Sequence, residues 1–165
     1  MPEAAAVIDA SPLILLSRIS RLDLLLTLRR RLVVPVPVLE EIRAKGDQDP
    51  SVREIDRASH LEEVPALPVS ESIRRWDLGR GESSVLAWAR ENPGALALLD
   101  DMQARRCAES QGIPLLGTAG LVLQASARSS PARAGTSPSP MKNFLASAAL
   151  GSRSRSASAD LSLTI

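Results

Sequence analysis

The sequence predicts a parallel α/β layer structure, and three observations carry that prediction. Short apolar runs alternate along the chain with segments of helical period. The runs are apolar nearly throughout, as strands buried on both faces are, instead of alternating with polar residues. Turn-forming residues mark the joints, as at Gly46 to Pro50 and at Asn92-Pro93-Gly94.

Each element has its own justification. Ala4 to Ile8 is an apolar run that leads straight into Asp9, so Asp9 sits at the carboxyl end of a first strand. In open α/β sheets that end is where ligands bind. From Pro12 to Leu28, Leu13, Leu16, Ile19, Leu22, Leu25 and Leu26 recur every three or four residues, which predicts an amphipathic helix with a break near Asp23. Arg29-Arg30-Arg31 reads as the solvated end of that helix, favoured by its dipole. Leu32 to Val36 is the second strand, with Pro35 near its end. Pro37 suits the first turn of a helix that runs to Lys45 and stops at Gly46.

Ser51 to Ser59 predicts a short polar helix, Leu61 to Leu67 a third strand, and Glu71 to Leu78 a short helix broken by Gly79-Arg80-Gly81. A helix follows over Glu82 to Arg90. Ala95 to Leu99 is a buried strand ending at Asp100-Asp101. A helix to Gln111, closed by Gly112, leads to a last strand over Ile113 to Leu116 and a helix from Ala119. Met102, Trp76 and Trp88 are assigned to core or helix packing; aromatic residues are too few for a base-stacking platform.

The 165 residues suit one domain with a sizeable core. Residues 1–125 hold the layered pattern. From about Ser126 the composition turns to Ser, Ala, Arg, Gly and Pro, so residues 126–165 read as a disordered or loosely helical tail with a short apolar turn near Phe144 to Leu150. No apolar run is long enough to span a membrane, and Met1-Pro2-Glu3 lacks the positive start of a signal peptide. A lone Cys107 in a helical pattern excludes a disulfide framework and a Cys-based zinc site, and fits the cytoplasm. Residues 1–125 carry fourteen Arg, one Lys and eighteen acids, hence −3; residues 126–165 carry four Arg, one Lys and one acid, hence +4. The folded part is mildly acidic, which argues against a broad nucleic-acid-binding face but not against a nucleic-acid enzyme whose acids hold cations.

Acids recur at equivalent places. Asp9 ends the first strand, Glu40-Glu41 lie in the helix after the second, Glu82 follows a Gly-x-Gly, and Asp100-Asp101 end the strand before the last. A parallel sheet puts all of them at one edge. Crowded carboxylates repel and raise one another's pKa, so such a group is normally held by a cation, and hard oxygen ligands favour Mg²⁺ or Mn²⁺ over zinc. Gly79-Arg80-Gly81-Glu82 lacks dinucleotide-site spacing and follows no strand, and there is no phosphate-loop lysine.

In this order and spacing the residues resemble a PIN domain. The stretches are Val7-Ile8-Asp9-Ala10-Ser11-Pro12, Val38 to Ile42, Gly79 to Glu82, Leu98 to Ala108, and Gly112 to Thr118. The likeness spans roughly residues 5–125 and is strongest to a PIN-like group with an Asp-Asp-x-x-Ala-Arg motif, related to VapC-type toxins. It implies a three-layer α/β/α fold with a parallel sheet of about five strands, and Mg²⁺- or Mn²⁺-dependent ribonuclease activity. It implies metal ligation by Asp9, Glu41, Glu82 and Asp101, with Asp100 close enough to share the last role. Ser11 and Thr118 match supporting positions, and Arg105 matches a position that orients the fourth acid or meets phosphate. Family members usually continue into an ordered helical region where this chain has its serine-rich tail.

The expected chemistry is cation-assisted hydrolysis of an RNA phosphodiester bond. The expected partners are RNA, an antitoxin protein if the chain is the toxin of a toxin–antitoxin pair, and a second copy in a homodimer, with no membrane. The alternative is a non-catalytic PIN-like metal- or protein-binding module.

Overall fold

The computed structural model describes residues 4–129. The tail reading and the apolar turn near Phe144 to Leu150 lie outside the described residues, apart from the first four positions of that tail.

Five parallel strands form one sheet: β1 (Ala5–Ile8), β2 (Arg31–Pro35), β3 (Leu61–Val64), β4 (Leu96–Leu98) and β5 (Leu115–Leu116). Their order is β3-β2-β1-β4-β5. Among the described residues seven α-helices connect and cover them: α1 (Ala10–Arg18), α2 (Val36–Arg43), α3 (Pro50–Arg57), α4 (Glu71–Arg74), α5 (Arg80–Glu91), α6 (Met102–Ser110) and α7 (Thr118–Ser129). Helices lie on both faces, so the fold is the three-layer α/β/α arrangement expected. No described helix is long and apolar enough to cross a membrane.

The sheet is buried because its central strands are apolar on both sides. Val7, Ile8, Val33, Val34, Ala97 and Leu98 have no exposed surface. Val7 pairs with Val33 on one side and with Ala97 on the other, so β1 is the spine of the core. Helix α5 lies across β1, β2 and β4 and packs beside α2. Its Val85, Leu86, Ala87, Trp88 and Ala89 are all buried.

The chain builds outward from β1 to β3, then returns to add β4 and β5 on the other side. The strand order therefore reverses at β1. In open α/β sheets a crevice forms at such a reversal, outside the carboxyl ends of the strands that flank it. Here those ends are Ile8 of β1 and Leu98 of β4. The Asp9 N–H donates to the Leu98 carbonyl at 3.1 Å and ties the two ends together.

Several local readings are corrected. The helix expected from Pro12 to Leu28 breaks earlier, at Ser20, whose φ is +51°, and Leu22–Leu28 continues as a 3₁₀ helix. Of the three arginines that follow, only the exposed Arg29 ends the helix. Arg29 closes the 3₁₀ helix in a left-handed conformation. Arg30 donates from Nη1 to the carbonyls of Ala5 (3.4 Å) and Gly94 (3.1 Å), joining the start of β1 to the turn before β4. Arg31 opens β2, pairs with Glu62 at 3.0 Å, and lies over the Trp88 ring. Met102, expected in packing, is 62% exposed, whereas Trp88 is buried.

The margins of the sheet differ from its centre. β3 turns Glu62 and Glu63 to solvent, and β5 is two residues long.

Candidate functional site

The acids of the carboxyl edge fall into two groups. The first gathers around Asp9. Burial of β1 on both faces carries Asp9 inward with it, leaving it 3% exposed, and among the described residues its Oδ1 has no hydrogen-bond partner. Burial pushes the carboxyl up to about 6, the nearby charges of Glu82 and Glu41 add to the rise, and the backbone N–H groups of Ala10 and Ser11 pull it back. Glu41 reaches toward Asp9 from the exposed side of α2. Glycine at position 81 leaves the room for this approach: a methyl group there would stand 2.7 Å from Glu41 Oε2 and 3.5 Å from Asp9 Oδ1. Glu82, one residue on, is partly fixed, because its Oε2 accepts from the Gly79 N–H at 2.8 Å. Ser84 Oγ, in turn, donates to the Gly81 carbonyl at 2.6 Å and holds the first turn of α5 together.

The second group follows β4. Asp100 accepts from Thr118, Oδ1 from the N–H at 2.8 Å and Oδ2 from Oγ1 at 2.6 Å. Thr118 is buried at the start of α7, so the last helix begins on this carboxylate. Asp101 serves its own helix: Oδ1 accepts from the N–H groups of Gln103 (2.8 Å) and Ala104 (2.9 Å) as an N-cap. Arg105 donates from Nη1 to the Leu99 carbonyl at 3.2 Å. A methyl group on Gly117 would stand 2.6 Å from that Nη1 and 3.3 Å from Asp100 Oδ1, so glycine makes room for both side chains.

The structure thus brings Glu41 and Glu82 into electrostatic range of Asp9, while Asp100 and Asp101 follow the adjoining strand β4 and are bonded locally. Among the described residues no group of three or more His, Cys, Asp or Glu stands ready to hold a metal ion. The residues nevertheless suit a hard divalent cation. The donors are all carboxylate oxygens, one of them is buried without a partner, and Glu41 Oε2 faces the same gap beside Gly81. Ser11 contributes its backbone N–H to the Asp9 carboxylate, while its side chain is exposed. Cys107 is buried in α6, and burial pushes its thiol up, which suits packing and not nucleophilic attack.

Sequence reasoning missed Gly81 and Arg80. The sequence pattern puts both in a helix break, but α5 begins at Arg80, so they occupy its first turn. The signal was present: a glycine directly before an acid at a helix start marks a close approach of the backbone.

The chain has known likenesses. The sequence model of a family described as a PIN domain matches residues 5–141. The fold resembles the crystal structure of PAE2754 from Pyrobaculum aerophilum with a TM-score of 0.50, at 16% sequence identity, covering 75% of this chain and 90% of that one. That likeness is one of fold alone. No curated protein matches the sequence.

Proposed function

The chain belongs to the PIN-domain family, and from that premise we propose that it is a Mg²⁺- or Mn²⁺-dependent nuclease that hydrolyses RNA phosphodiester bonds. One observation carries the reading: a carboxylate buried at the sheet edge, Asp9, keeps an oxygen with no partner among the described residues, beside Glu41 and Glu82. A fold gains nothing from an unpaired buried carboxylate, and a cation at that place would relieve it. Asp9, Glu41 and Glu82 would hold the ion, with the Asp100-Asp101 pair as the further carboxylate source. When bound, a divalent cation supplies Lewis acidity to the phosphate and makes water a better nucleophile.

The chain's own residues do the positioning. β1 fixes Asp9 at the bottom of the crevice, and its backbone N–H holds β4 alongside. The Gly79 N–H fixes Glu82, and Thr118 fixes Asp100. Glu41 is exposed, and its Oε2 lies in the gap that Gly81 leaves open. The toxin role and the antitoxin partner are finer proposals on the same site.

A second reading is favoured by the lack, among the described residues, of a ready-made three-ligand group. It holds the chain to be a non-catalytic PIN-like module. A Mn²⁺ titration followed by thermal melting, then a cleavage assay on single-stranded RNA, separates the two. The nuclease reading expects Mn²⁺ to raise Tm and to switch on cleavage, with Asp9→Asn removing both. Stabilisation without cleavage selects the module. Cleavage unchanged in Asp9→Asn overturns the assignment of this site.

A further inference from the structure

We propose that Arg80 is a substrate-binding residue: its guanidinium exchanges Glu40 for a backbone phosphate of an RNA strand lying across the mouth of the acidic site. The inference rests on the nuclease reading above. It starts from an interlock between two helices. In α2, Glu40 precedes Glu41; in α5, Arg80 precedes Gly81 and Glu82. Glu41 closes on Gly81, and one residue back on each helix Arg80 Nη1 meets Glu40 Oε2 at 3.0 Å. The ion pair therefore stands directly beside the approach of Glu41 toward Asp9.

The pair is built to exchange. Its side chains are 79% and 51% exposed, and ion pairs in that setting hold weakly against water and salt. The other arginines nearby are committed elsewhere. Arg43, later in α2, pairs with Asp56 at 2.9 Å and with Glu63 at 3.6 Å, linking α2 to α3 and β3. Arg105 is half-buried against Gly117 and donates to a backbone carbonyl.

An acidic site that takes a polyanion needs a cation at its mouth. A guanidinium matches two phosphate oxygens at once, and phosphate outcompetes a single solvated carboxylate contact. Glu40 is then a placeholder that holds Arg80 at the rim until the strand arrives.

The test exploits a difference in sign. A purely structural ion pair is broken equally by Arg80→Gln and by Glu40→Gln. A placeholder pair is not: Arg80→Gln removes the phosphate contact, whereas Glu40→Gln removes its competitor. Binding of a fluorescein-labelled single-stranded oligoribonucleotide is measured by anisotropy in Ca²⁺ over a salt series, beside cleavage in Mn²⁺. The proposal expects Arg80→Gln to weaken binding about tenfold and to lower the salt slope by roughly 0.7, one phosphate on a single strand. In cleavage it expects a raised KM with kcat little changed. Glu40→Gln binds more tightly than wild type, and Arg80→Lys lies between wild type and Arg80→Gln. Thermal melts and the Mn²⁺ response report whether each variant is folded. Equal effects of Arg80→Gln and Glu40→Gln, or no effect of either in a protein that cleaves RNA, overturn the role of Arg80 alone. A wild-type chain that neither binds nor cleaves RNA overturns the nuclease reading and this proposal with it.

Discussion

Two clusters of acids share one edge of this sheet, and they are held differently. Around Asp100 and Asp101 each carboxylate answers a local structural need. Thr118 bonds both oxygens of Asp100, and the first turn of α6 bonds Asp101. Around Asp9 the need is not answered. The carboxylate is buried, one oxygen is unpaired, and two more carboxylates push its proton affinity up. The contrast teaches that placement at a strand's carboxyl end does not by itself make an acid functional. What separates the two clusters is whether the protein already supplies the partners.

The contrast is sharpened by three substitutions, in decreasing order of expected effect on stability. Asp9→Asn comes first. Unfolded, this carboxyl titrates near 3.8, and folded near 6, so the folded state holds the proton over that interval. The contribution of this one group is fully present below about pH 4 and is lost as pH rises through 6, by about 3 kcal/mol at neutral pH. Thermal melts in EDTA between pH 4 and pH 8 should show this decline in wild type and a flat profile in Asp9→Asn, which melts higher than wild type at pH 8. Added Mn²⁺ should restore wild type at pH 8 and leave the variant unchanged. A wild-type profile already flat in EDTA would remove the distinction between the clusters.

Thr118→Val acts on the satisfied cluster. It deletes the Oγ1 donor to Asp100 but keeps the backbone N–H, so urea denaturation should show a loss of about 1 kcal/mol. Gly81→Ala should have the smallest effect on stability. Its backbone is not strained, the group that must yield is the end of a flexible Glu41 side chain, and alanine favours the helix, so the net change stays below about 1 kcal/mol. Its Mn²⁺ response, read by thermal shift, should weaken about tenfold, because Glu41 loses its place. A large stability loss with an intact Mn²⁺ response would show the gap at Gly81 to be a packing feature only.

Much of the architecture was legible because it is written in local runs. Val33-Val34 and Leu96-Ala97-Leu98 are short apolar runs that a layered fold buries as strands, and the acids that follow such runs fall at the carboxyl edge for that reason. What was not legible depends on contacts between distant segments. Nothing near Arg30 announces that its side chain will bridge Ala5 and Gly94, 25 and 64 residues away. Ser20 breaks a helix without a glycine or proline, through a left-handed backbone that sequence pattern does not mark. For the candidate site, the types and order of the acids were readable. Which carboxylate oxygen is left without a partner was not, because it turns on where Thr118 and Gly81 end up in space.

The two outer strands carry a further consequence. A flat, bare strand is a template on which another chain can add itself, and this fold offers poor ones. On one margin two adjacent glutamates face outward, engaged by Arg31 and Arg43; on the other, the ladder is only two residues long. Stacking of copies strand upon strand through these two margins is thereby discouraged.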